Sequence, residues 1–577
     1  MNIKYGRKPK YAYQSFLKML LHCSLILLTL SQFSTALCGS GPVVNTTSGS
    51  YVGVHDTQNE VDVFKGIRFA SPPARFTPAT PISNAPISPQ SAVAFGNDCP
   101  QFLRPSFPAS PNFAPDGVNL GPPVQGANQS EDCLFVNVWR PSNIPVDESL
   151  SILVYIYGGG FFSGSGSEWN GTSLVRRSVA TKKPFIFITF NYRLGVLGFI
   201  GSAQAPPSAL NLGLQDQRAA LRWIQDNAEA FGGDGSRITI SGESVGGSSV
   251  HMHYLYPDSR NTFRAGISSS GTSLVLNTPA CEWYDRPGGA YNILGNLTGC
   301  GTGAGSFKCL QDLPFDTFWP LALITYQPPG GALPPWVTCK GPQGSFIDEY
   351  PVKKVLDGDF LNLPIITGTN LNEGNLLIGT TFLDLTPQPP LEIENSILSG
   401  FIAGQATNNK TVSNDTIAKL LDLYSAPTQT FNLTDSTLYN RAAQFETEYS
   451  FLAPQRLFLK TASAEQRKQD VWAYSFQQLI PGAPEALGVF HSSDLYYLDM
   501  GCSPVPHQKL LEQMQDFYIS FVNDLNPGTS WPQHTEKSNI VMRLLDGRVG
   551  PIADTAREAQ TDFLDQVDVM EQFGRFG

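Results

Sequence analysis

Short apolar, β-branched runs alternate along the central part of the chain with a segment of helical periodicity. Ile152 to Tyr157 and Phe185 to Phe190 are continuous apolar runs of strand length, Gln215 to Phe231 follows a 3.6-residue period, and Ile238 to Ser241 returns to strand character. This alternation predicts parallel strands joined by crossover helices, an α/β fold in which ligands bind beyond the carboxyl ends of the strands. In the helical segment Leu214, Ala219, Leu221, Trp223 and Ile224 form an apolar stripe, while Asp216, Arg218, Arg222, Asp226 and Glu229 supply the polar positions. It stops at Phe231-Gly232-Gly233, where glycine suits a left-handed cap. Two later runs, Leu363 to Ile366 and Val471 to Phe476, read as further short strands. The Pro/Gly-rich stretches Ser71 to Pro123 and Thr325 to Pro342 read as surface loops of one domain, since strands of a single sheet lie on both sides of them. No fixed period recurs, which argues against solenoids and propellers.

The first residues depart from this pattern. Lys4, Arg7, Lys8, Lys10 and Lys18 precede an apolar run from Met19 to Leu30 and small residues at Ser34 and Ala36, the layout of a secretory signal over residues 1–36. A membrane anchor needs about 20 apolar residues. Here His22, Ser24 and Ser31 interrupt the run, and no later segment is apolar for long enough, so no integral membrane span is expected in the mature chain. Residues 37–577 then read as a single catalytic domain.

With 41% hydrophobic and 15% charged residues, the chain has the make-up of a folded body and not of a disordered one. Its formal charge of -11 and the lack of a basic run beyond the signal exclude the electrostatic attraction that nucleic acid or an anionic membrane requires. Secretion also changes how the nine cysteines are read, because disulfides persist in an oxidising compartment. Beyond Cys23 in the signal they are Cys38, Cys99, Cys133, Cys281, Cys300, Cys309, Cys339 and Cys502, with no zinc-like pair spacing, so no metal site is expected. Asn-x-Ser/Thr sequons at Asn45, Asn128, Asn170, Asn296, Asn409, Asn414 and Asn432 agree with passage through a glycosylating pathway.

The sharpest chemical signal is Ile238-Thr239-Ile240-Ser241-Gly242-Glu243-Ser244-Val245-Gly246-Gly247, a strand followed by Gly-x-Ser-x-Gly and a helix-compatible run. In a nucleophile elbow the serine occupies a tight strand-to-helix turn whose flanks tolerate only glycine, which Gly242 and Gly246 satisfy, and its hydroxyl projects at a helix N-terminus. Acyl transfer also needs donors for an oxyanion. Tyr157-Gly158-Gly159-Gly160-Phe161 follows a strand as a His-Gly-Gly-Gly-type turn does, which makes the backbone N–H groups of Gly159, Gly160 and Val245 the expected oxyanion hole.

These motifs, with Lys65 to Ala70, Glu131 to Trp139, Tyr155 to Gly166, Phe190 to Gly195 and Asn211 to Asp234, resemble in order the type-B carboxylesterase and lipase family, which includes the cholinesterases. The resemblance implies an α/β-hydrolase fold, with a mostly parallel central sheet, helices on both faces and large insertions, and the cleavage of carboxylic esters without a cofactor. Of the seven histidines, His251 and His253 sit on the elbow's own helix, His22 is in the signal and His55 precedes the core. Among the rest only Gly488-Val489-Phe490-His491 is similar to the family's catalytic histidine segment, which makes His491 the expected base. The chain order serine, acid, histidine then directs attention to Gly368-Thr369-Asn370-Leu371-Asn372-Glu373-Gly374, similar to the family's Asp-Glu-Gly turn, with Glu373 as triad acid and Asn372 in place of the usual aspartate.

The resemblance further implies disulfides Cys99–Cys133 and Cys300–Cys309 and a buried structural ion pair between Arg68 and Glu131. It leaves Cys38, Cys281, Cys339 and Cys502 unassigned. Between Cys99 and Cys133 lie Phe102, Phe107, Phe113 and Leu120, in the position of the relatives' lid or gorge loop. Two readings of that loop stand side by side, a cover over an apolar acyl-binding surface and a purely structural loop. A non-catalytic adhesion module of the neuroligin kind is the rival for the whole chain, but such modules lose a triad member and all three are present here. A cholinesterase is disfavoured because the Cys99 to Cys133 loop has no tryptophan to act as a cation–π platform for choline. The expected partner is a small-molecule or lipid ester, and the sequence carries no signal of oligomeric state.

Overall fold

A computed structural model describes residues 41–83, 85, 86, 88–102, 128–326, 336–379, 382, 388–500 and 507–577. The signal segment, Cys38, Cys502, Phe107, Phe113 and Leu120 lie outside the described residues. Val43–Gly577 forms one compact unit.

Eleven strands build the main sheet: β1 (Val54–Asp56), β2 (Val61–Arg68), β3 (Phe135–Pro141), β4 (Leu150–Ile156), β5 (Phe185–Phe190), β6 (Gly233–Glu243), β7 (Ala265–Ser269), β8 (Ile365–Asn370), β9 (Val471–Phe476), β10 (Ile540–Leu544) and β11 (Gly550–Ala553). Their spatial order is β11-β10-β9-β8-β7-β6-β4-β5-β3-β2-β1. From β5 across to β10 every neighbouring pair is parallel, and antiparallel pairing is confined to the two margins. Every residue of β4, β5, β7 and β8 is buried, because helices cover both faces of a parallel sheet. That is why β4 and β5 read as largely apolar runs and do not alternate.

Helix α1 (Thr172–Ala180) packs beside β5, α2 (Leu212–Asn227) packs against β6, α3 (Val245–Leu255) follows β6 directly, and α4 (Gln508–Asp524) lies under the sheet's centre. The α2 helix ends in a 3-10 turn, Ala228–Phe231, capped by Gly232 at φ 79°. Its apolar stripe is buried apart from half-buried Ala219, and so is Asp216 on its polar side, whose two oxygens clamp the Arg193 guanidinium at 2.7 Å each. Strand β8 begins two residues later than the apolar run suggested, after Pro364, and extends through Gly368-Thr369-Asn370. Proline cannot donate to a sheet ladder.

The implied Arg68–Glu131 pair does not form. Arg68 pairs with the adjacent Asp132, and Glu131 instead accepts from Arg75 at 2.8 and 3.0 Å. Asp132, one residue along, takes the place at Arg68, and Glu131 is held by a different arginine. Both acids also keep solvent contact, with side chains 26% and 32% exposed, so neither pair is fully buried. Disulfides join Cys99 to Cys133, Cys300 to Cys309, and Cys281 to Cys339. The last bond ties together a satellite core that includes Leu197, Tyr284, Tyr291 and Trp336. Among the described residues no helix is long and apolar enough to cross a membrane.

Candidate active site

The carboxyl ends of β4, β6 and β8 converge, and each is followed by a turn that displays chemistry. After β6 the chain reverses into α3 with Ser244 at φ 58° and ψ -128°, a region that costs a non-glycine residue on the order of 1–3 kcal/mol. Crowding accounts for the flanking glycines. A Cβ at Gly246 would stand 2.1 Å from the Ile156 carbonyl oxygen, and one at Gly242 would stand 2.4 Å from the Gly246 backbone. The strain is held from outside the turn, because the Ser244 N–H donates to the Ser269 carbonyl at the end of β7 at 2.9 Å.

After β4, Gly159 and Gly160 take φ of 99° and 65°, which folds the turn back so that Phe162 and Ser163 donate to the Gly159 carbonyl. Among the described residues the N–H groups of Gly159, Gly160 and Val245 donate to no protein acceptor. The turn lies against the elbow: a Cβ at Gly158 would come within 2.9 Å of the Ser244 Cβ. It is anchored on its far side by the start of the Cys99–Cys133 loop. There Phe102 donates its N–H to the Phe162 carbonyl at 3.1 Å, and its ring stacks on Tyr326 with centroids 5.5 Å apart.

After β8, Glu373 is fully buried. Its Oε2 meets His491 Nδ1 at 2.6 Å, and its Oε1 accepts from the Asn370 N–H and the Ser270 hydroxyl, each at 2.6 Å. Asn372 joins the two loops, since its N–H and Oδ1 pair with the backbone of Val489 at 2.9 and 3.0 Å while its Nδ2 donates to the Thr430 carbonyl at 2.8 Å. The other ring nitrogen, His491 Nε2, lies 3.3 Å from Oε1 of Glu243, the residue next to Ser244. Among the described residues Ser244 and His491 share no hydrogen bond. His251 and His253 are buried along α3, where burial lowers both pKa values to about 3.

Sequence reasoning passed over Glu243, Ser492 and Phe451. Glu243 stands inside the elbow motif and is shut from solvent, and burial raises its pKa to about 7. Ser492 donates to it at 2.5 Å. Burial alone would lower the pKa of His491, but the Glu243 and Glu373 carboxylates outweigh it and the net shift is upward. Phe451, on the π-helical turn Glu448–Leu452, places its ring 5.0 Å from the imidazole. A carboxylate at the end of a buried strand was a usable signal for Glu243, whereas nothing in the local sequence marks Phe451.

A strained serine at a helix N-terminus, beside unpaired N–H groups and a buried imidazole–carboxylate pair, is an arrangement that can transfer acyl groups. Residues 40–564 match the model of the carboxylesterase family. A secreted lipase of Botryotinia fuckeliana is 31% identical over 91% of this chain and 93% of its own length. Lipase 2 of Diutina rugosa is 30% identical over 87% and 91%. Acetylcholinesterase of Danio rerio is 35% identical, but over 56% of this chain and 49% of its own. Among solved structures, EstA of Aspergillus niger superposes with a TM-score of 0.75 at 23% identity, covering 93% of this chain and 99% of that one, and so shares the fold. The chain belongs to the carboxylesterase family, and it is a carboxylic ester hydrolase with the α/β-hydrolase fold.

Proposed function

We propose that the protein is secreted and cleaves carboxylic esters by two-step acyl transfer through Ser244, His491 and Glu373. His491 Nε2 takes the Ser244 hydroxyl proton as Oγ bonds to the ester carbonyl carbon, and the N–H groups of Gly159, Gly160 and Val245 hold the oxyanion. The bond to the alcohol oxygen then breaks, and Nε2 returns the proton to it. Water, activated by the same imidazole, attacks the acyl-enzyme and frees the acid, while Glu373 holds the Nδ1–H tautomer.

The observation that carries this reading is the 2.6 Å contact between His491 and the buried Glu373, set beside the residue that precedes the strained Ser244. Secretion, with residues 1–36 as signal and 37–577 as the single catalytic domain, is supported by the disulfides and by the exposure of the asparagine in all seven sequons. An apolar acyl group is favoured by the lipase relatives and by the Phe102, Phe162 and Tyr326 rings grouped at the oxyanion turn.

The test is Ser244→Ala assayed on nitrophenyl esters of increasing chain length, with and without emulsified triacylglycerol. The variant is expected to lose at least about 10,000-fold in turnover. Retention of a tenth of the activity, or a native protein that takes up no fluorophosphonate, refutes the reading.

A further inference from the structure

Besides Glu243, a further buried carboxylate with no part in the steps above lies close to the Glu373–His491 pair. Asp494 stands three residues past His491 on the 3-10 turn Ser493–Leu498 and is 1% exposed. Its Oδ1 accepts from Asn370 Nδ2 at 3.2 Å, and its Oδ2 lies 2.6 Å from the Tyr474 hydroxyl.

Each contact opens a chain that ends on the triad. Asn370 Nδ2 also donates to Ser270 Oγ at 2.9 Å, and that hydroxyl donates to Glu373 Oε1. On the other side the Tyr474 hydroxyl is 2.8 Å from Ser269 Oγ, and the carbonyl of this same Ser269 receives the Ser244 N–H. Ser269, Ser270, Asn370 and Tyr474 are all buried, so no water competes for these groups. The Tyr474 hydroxyl has one proton for two neighbours. It donates that proton to the Asp494 carboxylate and accepts from the Ser269 hydroxyl, so Asp494 is the terminus of the chain.

We propose that Asp494 is a positioning residue for both ends of the triad, holding the Glu373 carboxylate through Asn370 and Ser270, and the strand end that secures Ser244 through Tyr474 and Ser269. This rests on the Ser244, His491 and Glu373 assignment above. Without the Asp494 side chain, Asn370 Nδ2 loses one of its two acceptors and Tyr474 loses its carboxylate. Glu373 and the elbow then settle by separate local minima. A misplacement of about 1 Å in such a site costs on the order of 100-fold in rate.

The experiment compares Asp494→Ala, Asp494→Asn and Tyr474→Phe in the full chain. Competent sites are counted by fluorophosphonate uptake, and kcat and KM on nitrophenyl butyrate are expressed per counted site. Asp494→Ala is expected to lower kcat per site by about 10- to 100-fold with KM within about twofold, and Tyr474→Phe by a smaller factor in the same direction. Asp494→Asn, which still accepts from Asn370 and can donate to the Tyr474 oxygen, is expected to restore kcat to within about threefold of native. A purely structural role would change the number of competent sites and leave kcat per site alone. If Asp494→Ala does not fold, the other two decide: native kcat per site in Tyr474→Phe, or a loss in Asp494→Asn larger than in Tyr474→Phe, overturns the proposal. Native kcat per site in Asp494→Ala overturns it directly. A native protein without fluorophosphonate uptake instead brings down the triad assignment itself, so the two failures are distinguishable.

Discussion

His491 Nδ1 and Glu373 Oε2 are 2.6 Å apart, and the acid in this contact is closed to solvent. The carboxylate therefore does two things that an amide cannot. It accepts from Nδ1 in a single sense, and it supplies the negative charge beside which an imidazolium can form. Glu373→Gln is expected to lower kcat by about 1,000- to 10,000-fold while the protein stays folded. Ester turnover alongside a melting curve checks this, and one tenth of native activity in a folded variant would remove Glu373 from the role.

With His491 as the proposed base, Glu243 at 3.3 Å is expected to set the pH at which that base is free. Its carboxylate stabilises protonated His491, whose net shift is upward, and a base must be neutral to act. Activity is thus expected to rise with pH through a limb above the ordinary histidine value. Glu243→Gln keeps an acceptor for Ser492 but removes the charge, so the limb should move to lower pH. A kcat/KM profile across pH reports it, and an unmoved limb would show that Glu243 does not tune the imidazole.

Asn372 is expected to resist replacement by aspartate, the residue that the resemblance to the family's Asp-Glu-Gly turn implies at this position. Its Nδ2 donates to the Thr430 carbonyl while its Oδ1 accepts from Val489. An aspartate keeps the second contact, turns the first into a repulsion and adds charge beside buried Glu373. Asn372→Asp should lose about 1–3 kcal/mol of stability, measured by denaturant unfolding.

The Cys281–Cys339 bond closes a loop with a sequence separation of 58. Replacing both cysteines by serine is expected to cost up to about 4 kcal/mol on the chain-entropy estimate. Calorimetry of the double variant beside the native protein measures it, and an unchanged melting temperature would mean that the satellite core holds without its crosslink.

The residues that could be read from sequence were those whose role is written in their immediate neighbours. The elbow carries its own glycines and strand, the Gly159-Gly160 turn follows a strand of its own, and the buried strands β4 and β5 appear as largely apolar runs. Glu373 and His491 needed a family pattern, because 118 residues separate two atoms that touch. The Cys281–Cys339 pairing and the Arg75–Glu131 contact stayed hidden for the same reason: partners brought together by tertiary packing leave no spacing signal. Asp216 misled in the opposite direction. Its helical position says polar face, and only the arrival of Arg193 from a different loop makes burial tolerable there.

The backbone at position 244 lies where L-amino acids are uncomfortable, and alanine would be as uncomfortable as serine. Glycine would not, so Ser244→Gly should unfold at higher temperature than Ser244→Ala though both are inert. The difference between their melting points would gauge how tightly the rest of the molecule keeps this one residue bent, and hence how much robustness is surrendered so that a hydroxyl can face outward.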